Sequence, residues 1–224
     1  MEWFSPQDLN ALKLTLKVSI YATFFAFLLG IIFAWVLARF NFFGKNVVDA
    51  ILTLPMVLPP TVLGYYLLVL FGRRGTFGPW LEKVFGLQLV FTWQGAVVAA
   101  TVVAVPLVFK SARAAFEDVQ KNLEYAARTL GSRGLGVFFR VSLPLAARGI
   151  TAGVLLAFAR AMGEFGATLM LAGNLPGRTQ TLSMAVYDAV QAGDDFRANA
   201  LVLLISVVCV TILAASGYCL APKR

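Results

Sequence analysis

Arg160 and Glu164 stand four residues apart in a segment, Gly149 to Ala172, that carries no other charge. On a helix that spacing is about one turn, so the guanidinium and the carboxylate share a face. Charges inside so apolar a run are costly and turn toward protein interior. Two uses fit them. They neutralise each other, or Glu164 with its neighbours Gly163 and Gly166 shapes a pore or a subunit interface. Pro55, Pro59 and Pro60 form a second constellation, removing three backbone donors within six residues of another apolar run. The freed carbonyls there need neighbouring helices, side chains or water. Such a kink serves as a gate element or as a fixed bend. Arg73 and Arg74 close that run; they steer an anion toward an entrance or simply snorkel as a solvated pair.

Catalytic chemistry is poorly provided for. The 224 residues include no histidine, which removes the commonest general base and the commonest transition-metal ligand. No nucleophile-and-base arrangement or metal-ligand cluster is discernible, so neither a cofactor nor a metal is expected. Gly44-Lys45 lacks both the preceding glycine and the following hydroxyl residue of a phosphate-cradling loop, so any ATP must be hydrolysed by another chain. Cys209 and Cys219 are ten residues apart in one apolar run, about 15 Å on a helix against the roughly 7 Å a disulfide permits. They read as small apolar residues.

These residues must be positioned by membrane helices. Hydrophobic residues make up 59% of the chain and charged ones 13%, against about 45–50% and 25% in soluble domains; mean hydropathy is +0.80. The pattern predicts an all-α polytopic membrane protein with one domain over 10–220. It predicts about five spans, at 18–38, 50–72, 88–110, 149–172 and 198–220, each long enough for roughly 30 Å of hydrocarbon. A further short crossing or re-entrant piece near Thr76 to Gly95 would change that number. The first run is too long for a signal-peptide core and reads as an anchor. The net charge of +8 is attributed to topology rather than to nucleic acid, because no aromatic-basic platform accompanies it. With the N-terminus outside and the C-terminus inside, eleven Lys and Arg fall on inner segments and seven on outer ones, the bias expected of inner loops. No internal repeat is found, which counts against a self-sufficient secondary transporter.

The longest inner segment, 111–148, is patterned rather than linker-like. Leu123, Ala126, Ala127 and Leu130 recur at helical spacing, Gly131 supplies a stop and Ser132 a new N-cap. The expectation is a short helix, a sharp turn and a second helix from Leu135 to Val141 lying under the membrane. Periodicity alone leaves two readings open: a hairpin that packs under its own bundle, or one whose small residues let another backbone come close.

Glu124-Tyr125-Ala126-Ala127, three residues, Gly131, nine residues, Val141, one residue, Leu143-Pro144 resembles the docking loop of bacterial ABC importer permeases, whose pattern is Glu-Ala-Ala, three residues, Gly, nine residues, Ile, one residue, Leu-Pro. Here Tyr125 takes the place of the family's Glu, with Glu124 just before it. Leu54-Pro55-Met56-Val57-Leu58-Pro59-Pro60, Gly64-Tyr65 and Phe71-Gly72-Arg73-Arg74-Gly75 are similar to the second span of molybdate permeases. The segment Ala157 to Thr168, with its Gly163-Glu164-Phe165-Gly166, and then Gly173 to Gly177, are similar to their later core helix; the Gly-Glu-Phe-Gly element is shared with sulfate permeases.

This resemblance covers nearly the whole chain and implies a type I ABC importer transmembrane domain in a bacterial inner membrane. It implies a homodimer carrying molybdate, served by two cytoplasmic ATPase subunits and an extracytoplasmic oxyanion-binding protein. Glu124, Ala126, Ala127, Gly131, Leu143 and Pro144 would form the ATPase-coupling loop. Pro55, Pro59, Pro60, Gly163, Glu164, Gly166 and Thr168 would belong to the pore or gate, and Arg73 and Arg74 to anion steering. Because a carboxylate repels a dianion, Thr168 and backbone amides near the glycines are the better donors to it. Alternatives are a tungstate, sulfate or thiosulfate permease; an autonomous anion channel or secondary carrier, which needs no docking hairpin; and a membrane enzyme, disfavoured by the lack of histidine.

Overall fold

The structure is a computed structural model and describes residues 5–220, without the side chains at 215, 216 and 218–220. The side chain of Cys219 and residues Lys223 and Arg224, which entered the sequence reading, lie outside that description.

Helix α1 runs Pro6–Arg39. Ser5 opens it: its hydroxyl accepts from the Asp8 N–H while the Asp8 carboxylate accepts from the Ser5 N–H, and Pro6 takes the position where a missing N–H costs nothing. At about 1.5 Å per residue the helix reaches about 51 Å, longer than the hydrocarbon layer. It therefore begins twelve residues ahead of the expected span at 18–38. Helix α5 (Trp93–Asp118) lies against it and forms the centre of the bundle. Ala22, Ala26, Gly30 and Ala34 recur every fourth residue on α1 and pack against Ala96, Ala100, Ala104 and Val108 of α5. A Cβ on Gly30 would come within 2.8 Å of Val108 Cβ. Without a hydrophobic drive between helices in lipid, such close backbone approach supplies the association energy.

Between these two lie α2 (Lys45–Val57), α3 (Pro60–Phe71) and the short α4 (Gly78–Phe85). The single helix expected over 50–72 is instead α2 and α3, bent by 115° across two residues. Two successive prolines explain it. Each pushes the residue before it into extended backbone, and Leu58 (ψ 140°) and Pro59 (ψ 135°) take that conformation before Pro60 starts α3. Helix α4 has eight residues, about 12 Å, too few for a further crossing.

After α5 come α6 (Lys121–Thr129) and a helix that runs without interruption from Gly134 to Met162. Its parts are α7 (Gly134–Val137), a π-turn over Phe138–Ser142 and α8 (Leu143–Met162). The separate second helix expected over 135–141 is thus the first part of a long spanning helix. Pro144 cannot donate to the carbonyl one turn back, and the widened π-turn sits at that place in the ladder. The loop expected at 111–148 shrinks accordingly, with its first eight residues in α5 and its last six in α8. Beyond Met162 the chain breaks and resumes as α9 (Gly166–Ala172), so the expected 149–172 span is also interrupted. Helices α10 (Leu182–Gln191) and α11 (Asp195–Leu220) complete the fold. Among the described residues four helices are long and apolar enough to cross a membrane, or five if the bent α2–α3 pair is one span. Arg39, Asp49, Lys110, Glu124 and Ser142 gather at one end; Asp8, Thr15, Trp93, Leu182 and Arg197 gather at the other.

Candidate functional site

The two broken spans meet. Helix α3 packs along α9, and glycines make the joint. A Cβ on Gly64 would lie 2.7 Å from Met170 Cβ and 2.9 Å from Ala167 Cα; one on Gly166 would lie 2.9 Å from Pro60 Cβ. Pro60 therefore converges on one layer with Glu164 and Gly166, more than a hundred positions further along the chain. Glu164 is 3% exposed. Its Oε1 accepts from the Ala167 N–H at 2.9 Å, satisfying a free donor at the start of α9. Its Oε2 lies 2.7 Å from Arg160 Nη1 in an ion pair that lacks hydrogen-bond alignment. Pairing and shaping of the break are thus combined in one carboxylate. Gly163 is exposed at the end of α8, and Thr168 is buried in α9 at 1% exposure. Pro55 is not part of this layer; it sits inside α2, which packs on α5.

At one end of the bundle stands the hairpin. Helix α6 is closed by Gly131 at φ +88°, the left-handed conformation glycine adopts without strain. The Gly131 N–H donates to Arg128 O and the Ser132 N–H to Ala127 O, which satisfies the last carbonyls. Glu124 turns inward and is 4% exposed. One of its oxygens accepts from Arg39 Nε (2.9 Å), Arg39 Nη2 (2.6 Å) and Ser142 Oγ (2.6 Å). Glu124 thereby fastens α6 to the end of α1 and to the π-turn, and its carboxylate is not on the hairpin's outer face. That face presents Leu123, Tyr125, Ala126 and Leu130, the last 87% exposed, with Gly131 open to solvent. Ala127 is half-buried. Leu143 is partly buried against the core cluster that includes Ala34 and Phe116, while Pro144 is exposed. Next to the hairpin Asp49 accepts from Lys110 (2.9 Å) and Arg113 (2.5 Å), and Arg113 also reaches Glu117, tying α2 to α5.

At the opposite end Arg73 and Arg74 line a cavity of about 710 Å³ between the α3–α4 turn, the segment before α5 and the segment after α9. Arg178 joins them there. Among the described residues no group of three or more His, Cys, Asp or Glu is disposed to hold a metal.

Sequence reasoning missed the roles of Arg39, Ser142 and Asp49. For Asp49 a signal existed, since it is the single carboxylate between Asp8 and Glu82 and so had to find a cation or an exit. Nothing local linked Arg39 to Glu124, 85 positions away.

Residues 26–223 match the family described as binding-protein-dependent transport system inner membrane component. The chain is similar to the molybdenum transport system permease protein ModB of Escherichia coli (strain K12), 46% identical over 206 residues, which cover 91% of this chain and 90% of that one. The sulfate transport system permease protein CysT of the same organism is 34% identical, over 93% of this chain and 75% of its own length. Among solved structures, a chain of a bacterial ABC transporter involved in the import of the acidic polysaccharide alginate superposes with TM-score 0.78 at 16% identity, over 97% of this chain and 80% of that one. At that identity the likeness is one of fold.

Proposed function

The chain belongs to the family of binding-protein-dependent transport inner membrane components, and from that premise we propose that it is the membrane permease of an ATP-driven importer of molybdate. It is a multi-pass transport component rather than an enzyme. The observation that carries the substrate is the similarity to the molybdenum permease, higher in identity and fuller in coverage than that to the sulfate permease. The working assembly is a homodimer of this chain with two ATPase subunits at the hairpin end and an oxyanion-binding protein at the other. The exposed outer face of the hairpin supports the first contact, and a secondary carrier has no use for such a face. Ala126, Ala127 and Gly131 form the docking surface, with Glu124 behind it as the strut and Leu143 and Pro144 as the root of α8. Pro59, Pro60, Gly163, Glu164, Gly166 and Thr168 belong to the layer that opens and closes the path, and Pro55 to its approach. Arg73 and Arg74 draw anions to the entrance.

Vesicles containing this chain with its ATPase and binding protein are expected to take up molybdate only when ATP is supplied to the ATPase side, with excess tungstate or sulfate measuring selectivity. The chain by itself is expected to bind no ATP and drive no uptake. ATP hydrolysis by the purified chain alone sinks this reading. In the same vesicles Pro60→Ala is expected to lower uptake more than it lowers the amount of assembled complex; equal losses return Pro60 to packing.

The N-terminus lies outside and the C-terminus inside, on the distribution of Lys and Arg. Thiol labels at Gly177→Cys or Asp194→Cys should react from outside intact cells, and at Ser132→Cys only after the membrane is opened. Reversed accessibility inverts the assignment of both ends.

A further inference from the structure

We propose that the Arg160 guanidinium is the anion's contact within the membrane, held ready and partly neutralised by Glu164. The inference rests on the anion-importer reading and names the group in the path that meets the cargo. Neither Glu164 nor Thr168 can serve. The Glu164 side chain is 2% exposed, one oxygen is committed to the start of α9, and its charge repels an anion. Thr168 is buried at 1% exposure. Arg160 differs from both. Its side chain is 36% exposed, although it lies in the last turn of α8, within an apolar run whose other charge is Glu164. Ala152, Leu156, Arg160 and Gly163 follow one another at four, four and three residues; the other three are exposed and Arg160 is part-exposed, so the guanidinium opens on the exposed side of α8.

A guanidinium has five N–H donors, and among the described residues only the Glu164 carboxylate stands against it. Acyl chains cannot receive the remaining donors, so they face water, a second subunit or a cargo. Two parallel N–H groups match the oxygens of a tetrahedral oxyanion, a geometry that an ammonium lacks. The paired Glu164 keeps the site near neutral. An anion is then held firmly enough to enter and loosely enough to leave, as conduction requires. Because Glu164 also caps α9, an anion that draws Arg160 away loosens the α8–α9 break at the same moment.

The test uses the assembled importer in vesicles and two variants. Arg160→Lys is expected to assemble with its ATPase as the wild type does, with the concentration for half-maximal molybdate uptake raised about tenfold and the maximal rate less affected. The pair Arg160→Gln with Glu164→Gln leaves no unbalanced buried charge, so it should assemble, yet lose uptake. The inference is overturned if the paired variant transports at the wild-type rate, or if Arg160→Lys leaves the half-maximal concentration unchanged. It is equally overturned if both variants fail to assemble, since Arg160 is then a strut between subunits. Absence of uptake of molybdate, tungstate and sulfate by the wild type would refute the importer reading itself, a result separate from any of these.

Discussion

Arg39→Leu is expected to free the hairpin from the bundle at a cost of about 3–5 kcal/mol, the range for stranding one partner of a buried ion pair. Glu124 is 4% exposed, and two of the three donors to its bonded oxygen come from Arg39. Ser142 alone cannot balance a full charge there. The expected readings are a lower unfolding temperature of the purified chain in detergent, faster proteolysis near Lys121 and Arg128, and loss of the ATPase on co-purification. The control is Arg39→Leu combined with Glu124→Leu. Replacing both members of a buried pair by apolar side chains is often neutral, so the double variant should recover most of the stability. If the single variant melts with the wild type, the pair is not what fastens α6 to α1. If the double variant recovers stability but not the ATPase, the charge pair also sets the docking geometry.

Gly131→Val is expected to leave the chain at its normal level in the membrane and to weaken its hold on the ATPase roughly ten- to hundredfold. That corresponds to about 1–3 kcal/mol of overpacking at a tight contact. Within this chain nothing lies within 4 Å of a Cβ placed on Gly131, so the added bulk meets nothing of its own. A second effect must be separated from it. At φ +88° a β-branched residue is a strong outlier, whereas asparagine tolerates the left-handed region. Gly131→Asn therefore adds bulk with little backbone strain. If both variants lose the ATPase, close approach of a partner is the cause. If only valine does, the turn's shape is. If both keep the ATPase and transport normally, the hairpin is a structural loop and the carrier reading gains.

Helix content and the positions of the apolar runs were legible because lipid demands long uncharged segments, and Gly131 was legible because a left-handed stop has one favoured residue. The breaks were only partly so. Pro59 and Pro60 announced a disturbance, but its size of 115° depends on two extended residues in succession and on α3 finding a seat on α9. Gly163 and Gly166 flank the other break, yet the residues from Gly149 to Ala172 are apolar enough to read as one helix. Glu124 enters the sequence analysis only through the resemblance, as a residue of the ATPase-coupling loop, and nothing in the periodicity of its segment says which way it turns. It turns inward because Arg39 ends α1 at that level, and the packing of α1 on α5 puts it there. Long-range pairs of this kind leave no trace in local pattern. The wide separation of Arg160 from Thr168 in exposure likewise arises from the break in the helix between them.

The clasp between Asp8 and Arg197 has a bearing on how the protein is made. The two residues are 189 positions apart, with Arg197 Nη2 donating to Asp8 Oδ1 at 2.7 Å, and Thr15 accepts similarly from the Leu182 N–H. At about 5–20 residues per second of synthesis, α1 waits roughly 10–40 s before Arg197 exists. During that interval Asp8 has only Ser5 to bond, and the α1 end stays unfastened. The pair can form only once α11 has begun, so the first helix of the bundle is fastened at this end late in synthesis.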